Sequence, residues 1–496
     1  MKRTLIVTAA VFFSVVFSGL AQESNTEGGE KSGVVPGNLK PLELSEFLLT
    51  VQSNNPFFVK ERLGVDIERK QAQSLLGAQD WVLGIVPSYS YFGKASAPEF
   101  GAEQLHAAQV DASLERALWS TGGRLGFSAT TGYSSSDLGL VTNNAYRHGV
   151  AASYTQPLLQ NRKGILDRLP YELSEYTVDF TRLQTAENQE EFLLDVALRY
   201  LDWAFSTREV SIRSQRLFLA QQELEQVQKR FKANLVDKLD VLRSEDSVRL
   251  ARQALLLAES QLQAEQAALA VVAGTNDIMN MYPRFDIFAT AEIPPIDEAV
   301  EQLKSRSRIL GGLRVLKEQL EYQRAGAQDT KRAQLDLSVS AGLYGRDELF
   351  GESLVITKPE ASVALLYSKP LGSTTAKGQI AKLDDQILQV DAEIRSTEND
   401  LESSLVRLLV QLQDMTEILK LNQAQIESAR DRTVEEIKLY NQGRSSLPFV
   451  IQSRDNEENA RLTYAVNART YQSLVLSYRA LVDELFVPDE VEEEPK

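Results

Sequence analysis

Any chemistry in this chain rests on a narrow set of side chains. Its 496 residues include two histidines, His106 and His148, and no cysteine. Without cysteine there is no thiol nucleophile, no disulfide, no thiolate metal site and no lipid-attachment residue of a lipoprotein. Both histidines fall in segments read as loops flanking strands, without the paired spacing of a metal site. No phosphate loop and no nucleotide fingerprint occurs. The Asp and Glu residues interleave with Lys and Arg along solvent-facing helix positions. That is the pattern of a salt-bridged helical surface rather than of an acid–base pair. The expectation is a chain that is not an enzyme and takes no metal or cofactor. Its formal net charge of −16 repels nucleic acid.

The elements around these residues are unusually long. From Tyr171 to Tyr282 there is no proline and Gly274 is the only glycine; from Phe449 to Val487 there is neither. Segments that exclude both breakers read as helix. Ile387, Ile394, Leu401, Leu408 and Met415 repeat every seventh position, with Leu405, Leu412, Leu419 and Ile426 as a second seam, the heptad of coiled-coil packing. Helices are expected at about 164–233 and 373–440, each roughly 105 Å long at 1.5 Å per residue. Shorter helices are expected at about 42–80, 238–273, 297–331 and 449–485. Two short ones stacked end to end match one long one.

Other segments switch to period two. Leu335, Leu337, Val339, Ala341 and Leu343 alternate with small or polar residues, as do Leu125, Phe127, Ala129 and Tyr133. Runs at Trp81–Gly93, Val150–Tyr154 and Ala361–Tyr367 are similar. One apolar face and one Ser/Thr/Gly face suit a barrel wall with a wet lumen, and aromatics at strand ends (Trp81, Tyr89, Tyr91, Tyr133, Tyr154, Tyr367) suit membrane-interface girdles. Gly77–Asp80 recurs as Gly326–Asp329, and the Pro-Leu step at Pro157 recurs at Pro370. Each proline ends a strand, because it cannot donate into a ladder. Asn234 and Gly443 suit left-handed helix ends, while Asp240 and Arg444 read equally as solvated turn charges, Asp240 favoured by the helix dipole.

The ends of the chain add a location. Lys2 and Arg3, the apolar run Leu5–Phe17 and the small residues Gly19 and Ala21 read as a secretory signal cleaved after Ala21. No later stretch is long and apolar enough for a transmembrane helix, so spanning a membrane falls to strands.

The order of elements, Gln156–Leu159 and two helical turns carry a family resemblance. Phe231–Val241 resembles the first periplasmic tip, and Tyr440–Val450 the second tip, of the outer-membrane efflux proteins, the TolC-type channel-tunnels. The resemblance covers nearly the whole chain after residue 40. It implies a mainly α fold with a membrane β-barrel, in which long antiparallel coiled-coil helices form a periplasmic tunnel, with two structural repeats and a trimeric barrel. The expected segments are a signal peptide (1–21), a flexible linker (22–40), a first repeat (41–284; strands about 81–157, tip about 232–240), a second repeat (285–487; strands about 335–370, tip about 441–449) and an acidic tail (488–496). The implied role is a passive exit duct in the cell outer membrane, serving a tripartite efflux or type I secretion system. The implied partners are two further copies, outer-membrane lipid, a periplasmic adaptor (membrane fusion) protein and an inner-membrane pump of RND or ABC type. Asp240, Tyr440 and Arg444 would close the periplasmic gate, and Asn234, Leu235, Gly443 and Arg444 would meet the adaptor. Two departures stand out. The first strand region is longer than the second, with Gly122-Gly123 marking an added hairpin, so six strands are expected instead of the family's usual four. Phe449 and Gln452 stand where the family's second tip carries aspartates. The competing reading is a structural coiled-coil envelope protein without a pore; a diffusion porin is disfavoured by the helix content.

Overall fold

A computed structural model describes residues 39–93, 104–137 and 142–485. In chain order its elements are β1 (Lys40–Leu42), α1 (Leu44–Asn54), α2 (Pro56–Leu75), β2 (Val82–Gly93), β3 (Gln104–Leu118), β4 (Gly123–Asp137), β5 (Thr142–Pro157), α3 (Ile165–Lys232), α4 (Lys238–Ala273), β6 (Met281–Pro283), α5 (Ile296–Arg306), α6 (Arg308–Thr330), β7 (Gln334–Asp347), α7 (Phe350–Ser353), β8 (Lys358–Ser368), α8 (Thr374–Asn441) and α9 (Leu447–Leu481). The expected signal peptide, most of the linker and the acidic tail lie outside the described residues.

The heptad pattern becomes packing. Leu383, Val390, Leu405, Leu412 and Leu419 are buried along α8, while Ile387, Ile394, Leu401, Leu408 and Met415 flank them half-buried. The helices lie side by side as four rods: α2 with α4, then α3, then α6 with α9, then α8. One core sits midway along α3. There Phe47, Leu193, Tyr200, Trp203, Leu269 and Ile278 are buried together, and Phe47 stacks on Tyr200 with ring centres 5.5 Å apart. A small parallel pair, β1 with β6, closes over this core, and the Tyr200 hydroxyl donates to the Leu42 carbonyl at 2.6 Å.

The two halves repeat with a fixed spacing. Helices α3 and α8 are both 68 residues long. Their ends, Lys232 and Asn441, and the following starts, Lys238 and Leu447, are each 209 positions apart. Buried residues keep that spacing: Ala220 and Ala429, Val241 and Val450, Ser244 and Ser453, Ala251 and Ala460. So do left-handed residues, Lys163 and Gly372, Gly164 and Ser373, Asn234 and Gly443.

Two expected helices are each broken in two. The segment 42–80 breaks at Asn55, because Pro56 lacks an N–H and disfavours helix at the residue before it. The Asn55 side chain accepts from Phe57 N. The segment 297–331 breaks at Ser307, whose side chain accepts from Leu310 N. Each break receives the end of another helix. Asn54 and Asn55 donate side-chain amides to the last carbonyls of α4, those of Ala273 and Val272, at 3.2 and 2.9 Å. The Arg308 backbone N–H donates to Asp483, just past α9, at 2.9 Å.

All six long strands form one antiparallel sheet in the order β2-β3-β4-β5-β7-β8. The hairpin β3–β4 sits inside it, between β2 and β5. Its turn is seated on the start of α3. A side chain on Gly122 (φ 74°) would meet the Asn161 carbonyl at 2.3 Å, and one on Gly164 would meet the Trp119 carbonyl at 2.2 Å. Trp119 packs on Tyr171, and Gln156 donates to the Thr121 carbonyl at 2.9 Å. His106 and His148 lie within β3 and β5 rather than in flanking loops; their strands extend further than the alternation of apolar residues indicated.

Candidate functional site

The sheet presents two different faces. Cross-strand partners share a face, so the registers sort the side chains. One face carries Leu83, Ile85, Leu114, Phe127, Val150, Val339, Leu343, Val363 and Leu365, and these large apolar groups are exposed or half-buried, Val363 at 73%. Aromatics bound this band at both ends. Trp81, Tyr154 and Tyr367 lie toward the helices; Tyr89, Tyr91, Tyr133 and Tyr146 lie at the far end. The two levels are eight residues apart along β5, or roughly 27 Å at 3.4 Å per residue. The far end also holds His148, buried under Phe350 with ring centres 5.1 Å apart. The other face is lined by Ser, Thr and Gly with a few charges. Thr130 donates to Asp111 at 2.7 Å, Thr155 meets Ser338 at 2.7 Å, and Arg147 pairs with Glu360 at 3.3 Å. Glu115 falls on this polar face. Arg116 falls on the apolar face but at its helix-side rim, where its guanidinium lies over Trp81 and donates to the Gln79 carbonyl.

The wall is open at both sides. Strand β2 pairs only with β3, and β8 only with β7. Because all neighbours are antiparallel, the two free edges run in opposite directions. The rods end in the same way. The outer rods, α2 with α4 on one side and α8 on the other, expose large apolar side chains, among them Leu63, Ile67, Leu250 and Leu257 on the first and Leu388, Leu421 and Val434 on the second. Among the described residues no helix is long and apolar enough to cross a membrane.

At the opposite end of the rods are the two tips, built alike. Leu235 N donates to the Arg230 carbonyl and Asn234 N to the Phe231 carbonyl, both at 2.9 Å. In the second tip Arg444 N donates to the Leu439 carbonyl at 2.9 Å and Gly443 N to the Tyr440 carbonyl at 3.1 Å. Each is a Schellman cap, with its left-handed residue, Asn234 (φ 56°) or Gly443 (φ 74°), at the position that satisfies orphan carbonyls. Leu235 and Arg444 project from matching places, both exposed. Tyr440 packs against the buried trio Val227, Val241 and Leu447 with the Arg230 guanidinium 4.6 Å above its ring. Arg230 also donates to Asn441 at 2.6 Å, tying the tips together. Asp240 pairs with Arg243 on its own helix at 3.4 Å. Within one chain no hydrogen bond or ion pair among the described residues joins Asp240, Tyr440 and Arg444. Pro157 is buried at the end of β5, where Leu158 N donates to the Leu335 carbonyl, and Pro370 is exposed just after β8.

Above the tips the rods are tied by charges that the sequence reading placed in solvent. Arg216 is 5% exposed and donates to Asp455 at 2.8 Å and to Ser247 at 3.0 Å. Arg213 pairs with Glu458 at 2.9 Å, and Arg454 with Glu223 at 3.2 Å. Burial pushes the Glu223 carboxyl up, with Arg216 and Arg454 pulling against it. No local pattern marks which of many helix charges face a neighbouring rod, so these were not legible in advance.

An open wall of four rods continuing into an amphipathic antiparallel sheet is the fold of known outer-membrane channels. CusC, described in connection with transmembrane channel formation, superposes with a TM-score of 0.64 at 12% identity, covering 90% of this chain and 93% of that one. The outer membrane protein VceC of Vibrio cholerae gives 0.62 at 12% identity, over 89% and 95%. The MtrE outer membrane channel of Neisseria gonorrhoeae, in its open state, gives 0.61 at 13% identity, over 89% of each chain. No protein-family model matches the chain, and no curated protein matches it in sequence.

Proposed function

We propose that this chain is one sector of an outer-membrane conduit. Three copies join edge to edge, β8 of one to β2 of the next, closing a β-barrel in the outer membrane and a helical tunnel in the periplasm. The duct is passive. An inner-membrane pump, working through a periplasmic adaptor, would drive substrates into it in efflux or type I secretion. The observation that carries this reading is the coincidence of free edges. Sheet and helix layers are both open on the same two sides, with unpaired backbone on one layer and exposed leucines on the other. Backbone groups left unpaired in lipid cost several kcal/mol each, so the sheet is stable there only when closed. The apolar face then meets lipid, and the Ser/Thr/Gly face lines the lumen.

The tips form the periplasmic mouth. Tyr440, Asp240 and Arg444 are assigned to its gate by their place at the two tips. The exposed cap residues Asn234, Leu235, Gly443 and Arg444 are assigned to adaptor contact. The first test is extraction: the protein should stay with membranes through a salt wash, leave them in detergent as a three-copy ring and conduct ions in planar bilayers. A monomeric rod released by salt alone would refute the conduit. Replacing Asp240 and Arg444 together by Ala should raise single-channel conductance; an unchanged value removes both from the gate.

A further inference from the structure

The internal repeat makes the contact between copies legible from the contact within one copy. Inside the chain, α3 packs against α9. The repeat carries α3 onto α8 and α4 onto α9, each by 209 positions. In the ring proposed above, on which this inference rests, α8 of one copy lies beside α4 of the next. The α8–α4 seam is therefore the repeat-related version of the α3–α9 seam, and each internal pair has a counterpart across the boundary.

The counterparts can be read directly. Glu223 corresponds to Arg432, and Arg454 to Glu245 (each 209 apart). The Glu223–Arg454 bridge at 3.2 Å thus maps to another acid–base pair with its charges exchanged. The neighbouring pairs do not map this way: Arg216 and Asp455 become Gln425 and Asp246, and Arg213 and Glu458 become Asn422 and Arg249. Asn422 is already taken inside the chain by Asn467, at 2.7 Å. Each of the two α4/α9 counterparts also has an opposite charge on its own helix, at positions the repeat does not relate. Arg454 is held on its own helix by Glu457 at 3.8 Å, and Glu245 on its own helix by Arg249 at 3.2 Å. Arg432 is exposed and, among the described residues, makes no ion pair within the chain.

We infer that Glu245 of one copy pairs with Arg432 of the next, repeating between copies the bridge that Glu223 and Arg454 make within one. A second copy of this chain is thereby the partner of the exposed α4 and α8 flanks. Buried at such a seam, the pair would act more on register between copies than on raw affinity.

The absence of cysteine gives a clean background for a test in the full chain. Glu245→Cys and Arg432→Cys are combined and treated in membranes with a short thiol-to-thiol cross-linker. Two- and three-copy bands are expected from the double variant and none from either single variant. If the double variant elutes as a ring yet gives no cross-linked bands, the pairing is wrong and the conduit reading stands. If the unaltered chain forms no ring, the conduit reading itself fails. Charge reversal supplies a second readout. Arg432→Glu alone should lower the temperature at which the ring dissociates in SDS, and adding Glu245→Arg should restore it. Absence of restoration overturns the pairing.

Discussion

The two helix breaks solve one geometric problem with different chemistry. Each lets a half-length helix stop where another ends, so that two short helices together match one long rod. The break at Asn55 and Pro56 uses covalent geometry and neutral amides: a proline that cannot continue a helix, and two asparagines that cap α4. The break at Ser307 uses charge. Arg308 pairs with Glu190, which is 2% exposed, and donates to Asp483 at 3.0 Å; Glu190 in turn accepts from Leu485 N at 3.0 Å. A break written into the local chain is cheap to keep. A break held by a buried ion cluster depends on residues far away in sequence and fails if one partner is lost.

That contrast is open to measurement, most sharply at Arg308. Arg308→Ala leaves the buried Glu190 and the half-buried Asp483 without their cation and should cost about 3–5 kcal/mol, read as a large drop in melting temperature of the detergent-solubilised protein. Asn55→Ala, the matching change in the first half, removes a cap and should cost about 1 kcal/mol in the same melt. Equal costs would abolish the distinction between the breaks. The tips give a finer version. Gly443→Ala places a Cβ in a left-handed position and should cost roughly 1 kcal/mol, whereas Asn234→Gly should be neutral or slightly stabilising; a loss from both would mean that the caps are not alike. The smallest effect lies at Glu187, beside the ion cluster. Burial holds its carboxyl above the ordinary carboxylate range, Asp483 adds to this, and Arg308 opposes it. A proton held more tightly in the folded chain stabilises it at low pH, and that contribution is lost as pH rises from about 4.3 through the raised folded value. Glu187→Gln should therefore melt higher than the unaltered chain at pH 7, with the gap closing toward pH 4. A gap independent of pH would assign the effect to packing.

The same contrast explains what could be read from the sequence. Pro56 announces its break to anyone who weighs it against the surrounding helix signal. Ser307 announces nothing, because the partner that holds this break, Asp483, bonds Arg308 from 175 residues further on. Strands whose apolar and small residues alternate, such as Leu335–Leu343, were plain, as was the Gly122-Gly123 turn. The outer parts of β3 and β5 were not, since Gln104, His106, Asn143 and Asn144 interrupt the alternation. Asn234 and Gly443 betray their left-handed caps by residue type alone. The partners of Tyr440 and Asp240 depend on how helices α3, α4 and α8 come together, which no window of sequence contains.

The hairpin β3–β4 bears on what could travel through a closed ring. Four rods 8–10 Å apart give each copy an arc of about 32–40 Å. Six strands at about 4.8 Å spacing and 40° tilt give about 38 Å, where four would give about 25 Å. In the proposed ring, the hairpin would give the barrel the girth of the tunnel beneath it, a pipe without a bottleneck at the bilayer. Any sieving by size would then fall to the far end, where the proposed gate around Tyr440 lies.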